Sequence, residues 1–234
     1  MKVSSREKIL SAVELALGFP VRQGSLFETG TAEHEVAWLA ANESWEPLQK
    51  ELEALAAHFH RLAKSEEFQG VLQNIVRENK VRRALCWEHP LLDKLDVKRL
   101  LQEAGVDLVD TGESSGFVEK AAQADLGITA AECAIVESGA LMVRASKGWP
   151  RAASLLPTVH LAIVTARQRL GTVKDLVPLW RNWLGAQGAL PSAIHLITGP
   201  SRTADIELTL VLGAHGPKVL HVVALDQEAI PEDT

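Results

Sequence analysis

Apolar residues recur every three or four positions over the first 80 residues, a spacing that predicts amphipathic helices. One such helix covers residues 4–17, with Ser4 at its start. A second begins after Ser44, and its apolar positions step by four and three: Leu48, Leu52, Leu55, Phe59 and Leu62. A third covers residues 68–76. Because polar residues fill the positions between, we predict that residues 1–80 form an N-terminal helical extension.

From about residue 81 the pattern changes to short apolar runs that alternate with amphipathic stretches. The apolar runs predict strands at residues 84–87, 106–109, 133–136, 140–143, 159–164, 193–198 and 219–225. The stretches between them predict helices near residues 96–104, 116–124 and 203–212, and one more that a capping box of Thr172 and Asp175 opens. Strands that alternate with helices indicate an α/β fold with a mostly parallel sheet covered by helices. We therefore predict one α/β domain over residues 81–234.

Composition and charge narrow the class of protein. Apolar residues make up 47% of the chain and charged residues 23%, as in a globular protein. The net charge of −6 argues against a basic nucleic-acid-binding surface. The apolar runs are shorter than the roughly 18 residues that a membrane-spanning helix needs. We therefore expect a soluble, cytoplasmic protein with no nucleic-acid or membrane partner.

The two cysteines bear on cofactors. Cys86 and Cys133 sit in apolar runs and are interpreted as reduced core thiols. An iron–sulfur cluster normally takes four cysteine thiolates, and no zinc-like spacing of His and Cys is present. The dinucleotide and nucleotide glycine motifs are also absent. We expect no cofactor in this chain, although a flavin remains an alternative because flavin sites have no single short motif.

The best local motif for chemistry is ITGPSRTADIE at residues 197–207. A strand runs into Gly199 and Pro200, and the predicted helix begins near Ser201, so free backbone N–H groups at its N-terminus would suit an anion. Arg202 would add a two-pronged contact to a carboxylate or phosphate. The predicted ligand-binding residues here are Thr198, Gly199, Pro200, Ser201, Arg202, Thr203 and Asp205. The equally weighted alternative is that Ser201 or Thr203 only caps the helix, with Asp205 complementing its dipole.

A second motif is Glu137-Ser138-Gly139, between two strand-like runs. A carboxylate at a strand end would face the crevice at the carboxyl edge of the sheet, where Glu137 is the candidate catalytic base or nucleophile and Ser138 and Gly139 would contact the ligand. The alternative, which the local sequence favours, is an ordinary turn with Glu137 solvated and Gly139 at positive φ.

Several other residues are interpreted as structural. A helix over residues 203–213 would be about 16 Å long, which places His215 at the end opposite Ser201, beside helix-stopping glycines. His160, His195 and His221 lie in strand-like runs and are interpreted as core residues. The loop at residues 147–151 is the exception, since it would fold over a site or meet a partner.

Four segments together resemble the LUD domain family, and within it the lactate-utilisation protein C branch. They are GITAAECAIVESGALMV (127–143), SLLPTVHLAIV (154–164), ITGPSRTADIE (197–207) and GAHGPKVLHVVAL (213–225). They are distributed, in the order and with the spacing typical of the family, over about the last 110 residues. The resemblance implies a fold like those of glucosamine-6-phosphate deaminase, ribose-5-phosphate isomerase and the CoA-transferases.

The resemblance also implies a function. It points to a non-redox component of a bacterial system that oxidises L-lactate to pyruvate, with iron–sulfur proteins as partners and a small anion such as lactate, pyruvate or phosphate as ligand. Relatives by fold leave an alternative: an independent sugar-phosphate isomerase or acyl/CoA-transferase that uses the same crevice. CoA-transferases use a glutamate at a strand end comparable to Glu137, and sugar-phosphate isomerases hold phosphate in loops similar to residues 198–203.

Overall fold

The computed structural model describes residues 35–40, 42–110, 116–187, 191–204, 210–212 and 215–230. The strands are β1 (His58–Leu62), β2 (Arg83–Cys86), β3 (Asp107–Leu108), β4 (Leu126–Ala130), β5 (Cys133–Ile135), β6 (Ala140–Arg144), β7 (Val159–Thr165), β8 (Arg169–Leu170), β9 (Ile194–Ile197), β10 (Arg202–Ala204), β11 (Leu210–Leu212) and β12 (Val219–Leu225). The helices are α1 (Glu46–Ala54), α2 (Glu67–Glu78), α3 (Pro90–Lys94), α4 (Val97–Glu103), α5 (Phe117–Ala122), α6 (Ala152–Leu155) and α7 (Leu176–Gln187).

Six strands form a parallel sheet in the spatial order β1–β12–β7–β4–β2–β3. β4 and β7 are buried along their whole length, and their apolar sequences suit a sheet that is covered on both faces. α6 packs so closely on β4 that a Cβ at Gly127 would overlap the Ala153 carbonyl group. The predicted α/β fold with a mostly parallel, helix-covered sheet is confirmed.

The order of the strands creates a reversal point in this sheet. From β2 the chain crosses through α3 and α4 to β3, on one side of β2. It then returns through α5 to β4 on the other side and continues outward to β7 and β12. The connections from β2 and β4 therefore leave in opposite directions, which is the arrangement at which parallel α/β sheets form a ligand crevice outside the carboxyl ends of two strands.

A second sheet of four strands, in the order β8–β5–β6–β9, lies beside the first. Its apolar core is closed by α7 and contains Cys133, Ile135, Ala140, Met142, Leu170 and Leu176, with Trp180 and Trp183 packed against it. The predicted capping box is present: Thr172 and Asp175 open a 3₁₀ turn (Val173–Asp175) that leads directly into α7.

The prediction of helix for residues 58–62 is wrong. These residues form β1, which pairs in parallel with β12 so that His58 stands opposite His221. The helix α1 ends early because the chain turns at Ala56, which has a φ of 62°. The partner strand then supplies the backbone hydrogen bonds, and tertiary pairing overrides the local apolar spacing. The predicted helix at 4–17 lies outside the described residues, and the boundary at residue 81 stays a prediction.

The prediction of a helix over residues 203–212 is also wrong. Residues 202–204 and 210–212 form β10 and β11, which pair antiparallel with Thr203 opposite Val211. Both of these residues are β-branched, and such side chains favour a strand over a helix. The chain therefore folds back on itself here and does not run away along a helix axis.

Candidate functional site

A cleft of about 410 Å³ opens where the turn after β9 meets three other parts of the molecule. These are the C-terminal end of α1, the helix α6 and the segment that leads into β12. The residues lining the cleft are Leu55, Ser154, Leu155, Leu196, Ile197, Thr198, Gly199, Pro200, Ser201, His215, Gly216 and Pro217. Four of the predicted ligand-binding residues, 198–201, therefore share one concave surface.

Two glycine turns pack against α1, and each requires its glycine. Gly199 has a φ of +94°, and a Cβ there would lie 2.7 Å from the Leu55 carbonyl oxygen. Gly139 has a φ of +63°, and a Cβ there would lie 3.1 Å from the Cβ of Glu51. Since β6 and β9 are antiparallel neighbours, the start of one and the end of the other meet at this helix. The structure thus brings the two sequence motifs together.

His215 lies beside Ser201, so the prediction that they stand at opposite ends of a helix is wrong. The His215 N–H donates to Ser201 Oγ at 3.3 Å, and the Ser201 N–H donates to the Pro217 carbonyl oxygen at 2.9 Å. The β10–β11 pairing turns the chain back, which returns residue 215 to the turn it had left. His215 is exposed and lines the cleft.

No helix begins at Ser201, and the anion site expected at a helix N-terminus is therefore not present in that form. Arg202 and Thr203 belong to β10, and Asp205 lies outside the described residues. The lining residues with polar side chains are Ser154, Thr198, Ser201 and His215, with the exposed Leu155 and Leu196 beside them. The Ser154 hydroxyl donates to the Arg151 carbonyl oxygen at 3.2 Å. Such a surface suits a small ligand that has both a polar and an apolar part.

Glu137 lies in a 3₁₀ turn (Val136–Ser138) and is exposed. Its Oε1 accepts a hydrogen bond from the Val173 N–H at 2.7 Å. This bond gives a partner to the first backbone N–H of the 3₁₀ turn that leads into α7. Ser138 Oγ is buried and has no hydrogen-bond partner among the described residues. This arrangement, with Gly139 at positive φ, has the geometry of an ordinary turn; a catalytic role of Glu137 stays a prediction.

A charged group that no predicted site residue belongs to lies at the carboxyl ends of β2 and β4. Glu132 follows β4, His89 follows β2, and Arg144 ends β6 with its guanidinium paired to Glu132. The loop containing Trp149 covers them. Polar residues directly after adjacent parallel strands are the pattern by which this group could have been found.

The cysteines are free and buried, which confirms their interpretation as core thiols. Burial raises the pKa of Cys86 and that of Cys133 to about 12, so both remain protonated at neutral pH. Within the described ranges, no group of three or more His, Cys, Asp or Glu side chains could hold a metal ion. In the same residues, no helix has the length and apolar character to cross a membrane.

Two strand histidines are buried, as expected. His160 Nε2 lies 2.9 Å from Thr129 Oγ1, and burial lowers the pKa of His160 to about 3. His221 Nδ1 lies 3.0 Å from His60 Nε2, and burial together with the charges of His58 and His60 lowers its pKa to about 3. His195 is half-buried, and burial also lowers its pKa.

Comparison with known proteins identifies relatives for most of the chain. The sequence profile of the LUD domain family matches residues 46–225. A "Lactate utilization protein C" of Halalkalibacterium halodurans is 33% identical over 165 residues, which cover 70% of this chain and 72% of that protein. A "Lactate utilization protein C" of Shouchella clausii is 28% identical over 230 residues, with 96% and 100% covered.

A solved structure supports the fold. The crystal structure of a DUF162 family protein from Deinococcus radiodurans superposes with a TM-score of 0.57 at 19% sequence identity. The match covers 80% of this chain and 99% of the other.

Proposed function

The chain belongs to the LUD domain family, and on that premise we propose that it is a non-redox component of a bacterial L-lactate utilisation system. It would act in the oxidation of L-lactate to pyruvate together with iron–sulfur partner proteins and bind a small anion in the cleft beside Gly199. The observation that carries the proposal is the similarity to two proteins named lactate utilization protein C, over 70% and 96% of this chain.

The cysteines support the non-redox part of the proposal. Cys86 is in the parallel sheet and Cys133 in the second sheet, and both thiols are buried and protonated. Two buried thiols fall short of the four thiolates that an iron–sulfur cluster takes. Electron transfer through such a cluster would therefore belong to the partners, and this chain would contribute binding or assembly.

The cleft supports the ligand part of the proposal. Its volume of about 410 Å³ lies within the ordinary range for small-molecule sites and is ample for lactate, pyruvate or phosphate. The hydroxyl groups of Thr198 and Ser201 and the ring of His215 supply hydrogen-bonding groups at one side. Leu155 and Leu196 supply an apolar wall, which a methyl group such as that of lactate would contact.

Growth on L-lactate tests the function. A strain that lacks the gene should fail to grow on L-lactate as sole carbon source, and the wild-type gene should restore growth. A gene encoding Cys86→Ala together with Cys133→Ala should restore growth equally, because neither thiol serves redox chemistry. Loss of growth with a double variant that is folded and normally abundant would contradict the non-redox role.

Association and cleft binding are tested separately. The chain should co-purify with cysteine-rich partners under anaerobic conditions that preserve their clusters, and failure to do so would count against the partner assignment. In thermal unfolding, L-lactate, pyruvate or phosphate should raise the melting temperature of the wild type by clearly more than that of His215→Ala, since a ligand that binds the native state stabilises it. Lys218→Ala, an exposed neighbour outside the cleft lining, is the matched control.

A further inference from the structure

The crevice at the carboxyl ends of β2 and β4 contains a second group of chemically capable residues, separate from the cleft at Gly199. In parallel α/β sheets, ligands bind where neighbouring connections leave in opposite directions, and β2 and β4 are such a pair. His89 lies three residues after β2 and Glu132 two residues after β4. The topology therefore puts a histidine and a carboxylate at the place where this architecture forms sites.

Arg144 brings a cation to the same place. Its Nε donates to Glu132 Oε1, and its guanidinium carbon lies 5.0 Å from the ring centroid of Trp149 and 5.2 Å from that of Trp183. These contacts use the guanidinium faces and one of its five N–H donors. Among the described residues, Glu132 is the only hydrogen-bond acceptor that Arg144 contacts. The two terminal amino groups thus remain available, on a side chain that is 18% exposed.

A guanidinium in this state is suited to a carboxylate. Its paired terminal N–H groups match the two oxygens of a carboxylate in a fork that a lysine cannot form. The indoles favour a planar cation stacked along their faces, which fixes the direction in which the fork points. The adjacent Glu132 carboxylate neutralises Arg144 and would repel a second carboxylate.

His89 adds a neutral donor. Its Nδ1 accepts a hydrogen bond from the Leu91 N–H at 3.1 Å, so the neutral ring carries its proton on Nε2. Burial lowers the pKa of His89, with Arg144 adding to this effect and Glu132 and Asp93 opposing it. The ring is therefore neutral at physiological pH and can donate through Nε2 without adding charge.

Residues 145–150 cover the crevice. The Trp149 ring stacks on Trp87 at 5.8 Å and lies 4.8 Å from the His89 ring. Three hydrogen bonds attach the loop to the β2 end. Trp149 Nε1 donates to the Glu88 carbonyl oxygen at 2.6 Å, the Glu88 N–H to the Gly148 carbonyl oxygen at 3.1 Å, and Trp87 Nε1 to the Pro150 carbonyl oxygen at 3.0 Å. The loop at residues 147–151, which was predicted to fold over a site or meet a partner, therefore lies at the carboxyl end of β2.

We propose that this crevice is a second binding site, in which the terminal N–H groups of Arg144 hold a small carboxylic-acid anion beside His89 and under Trp149. The ligand class is a short hydroxy- or oxo-acid, whose carboxylate takes the guanidinium fork and whose second oxygen can accept from the imidazole. The site is independent of the cleft at Gly199 and shares no lining residue with it.

Titration with L-lactate and pyruvate tests the site directly. Because Trp149 and Trp87 border the crevice, either carboxylate should change the tryptophan fluorescence saturably, within about 10 mM for a weak metabolite complex. Arg144→Lys keeps the charge but loses the fork, and binding should weaken about tenfold or more. Arg99→Lys, on an exposed helix face, is the matched control and should titrate like the wild type. Calorimetry with Trp149→Phe separates loss of the signal from loss of binding.

Glu132→Gln gives a result of opposite sign. If a ligand carboxylate shares Arg144 with Glu132, removing the Glu132 charge should tighten carboxylate binding several-fold. If the Arg144–Glu132 pair only holds the structure together, the variant should lose stability without binding more tightly, and the proposal is overturned. The proposal also fails if no carboxylate binds the wild type by calorimetry, or if Arg144→Lys binds as well as the wild type. His215→Ala should leave this titration unchanged, so failure here is distinguishable from failure of the cleft at Gly199.

Discussion

Two arginines stacked on tryptophans show how differently one side chain can be used in the same protein. Arg169 is fully buried, with its guanidinium carbon 4.3 Å from the Trp45 ring centroid. Its donors reach four backbone carbonyl oxygens, those of Ala40, Glu43, Ser44 and Ala166, at 2.9 to 3.1 Å. Arg144 also stacks on indoles but has one carboxylate partner and is partly exposed.

This difference in hydrogen-bond partners assigns Arg169 to structure and Arg144 to ligand binding. The donors of Arg169 tie the segment before α1 to β8, and burial without those carbonyls would cost several kcal/mol. The terminal donors of Arg144 contact no acceptor among the described residues, and its position at a strand end leaves them open to a ligand. Both arginines stack on tryptophan, so stacking does not distinguish their functions. They differ in whether their guanidinium N–H groups already have protein acceptors.

Replacing Arg169 should lower the stability of the protein more than any other change considered below. Arg169→Met keeps a comparable apolar stem but leaves its carbonyl partners without a donor, and it should lower the free energy of unfolding by at least about 3 kcal/mol. Urea denaturation measures this directly. Arg99→Met, at an exposed position, is the control and should change stability by less than about 0.5 kcal/mol. A loss below about 1 kcal/mol for Arg169→Met would contradict the structural role of Arg169.

Replacing Arg144 should cost far less stability. Arg144→Gln removes two cation–π contacts and one partly exposed ion pair, which together predict a loss of about 1–2 kcal/mol. The same denaturation experiment applies. If this variant is destabilised as strongly as Arg169→Met, then Arg144 is a structural cation, and the distinction drawn between the two arginines is wrong.

Acid should act on neither arginine but on the buried histidines. Burial lowers the pKa values of His160 and His221 to about 3, whereas the unfolded chain binds their protons near the ordinary value of 6.5. Stability should therefore fall as the pH drops from 6.5 towards 3, at up to about 1.4 kcal/mol per pH unit for each histidine. Denaturation at pH 7 and pH 5 measures the loss. His160→Gln should show a smaller loss between these two values; an unchanged loss in that variant would contradict the assignment.

Replacing Glu137 should have the smallest effect on stability. Glu137 accepts from a backbone N–H, whereas Glu132 pairs with the Arg144 side chain. The Glu137 carboxylate accepts from a single backbone N–H, that of Val173, so Glu137→Ala should cost about 0.5–1 kcal/mol. Glu137→Gln keeps an acceptor oxygen and should be as stable as the wild type. Growth on L-lactate with Glu137→Gln then separates the two interpretations of this residue: loss of growth assigns it to chemistry, and full growth assigns it to the turn.

The sequence predicted most strands of the two larger sheets because each of those strands carries its own local apolar pattern. The apolar runs at β2, β5, β6, β7, β9 and β12, and the capping box before α7, could be identified one by one. β1 and the β10–β11 pair could not, since their backbone hydrogen bonds come from partner strands that the local pattern does not identify. The apolar spacing of these segments is equally compatible with helix.

The site was predictable only in part for the same reason. The turn at residues 198–201 was found from its glycine and proline, and it does line a cleft. Ser201 and His215 are neighbours because β10 and β11 pair antiparallel, which the local pattern did not reveal. Arg144, Glu132 and His89 come from three different elements, and their meeting depends on the strand order, which no short motif encodes.

The melting temperatures of three proteins, each with and without L-lactate, distinguish the role of Arg144 from that of Arg169. The wild type should be stabilised by the ligand, and Arg169→Lys should melt at a lower temperature but show the same ligand-induced increase. Arg144→Lys should melt near the wild type and show a clearly smaller increase. Equal increases in the wild type and Arg144→Lys, or a loss of the increase in Arg169→Lys alone, would contradict the assignment of Arg144 to binding and Arg169 to structure.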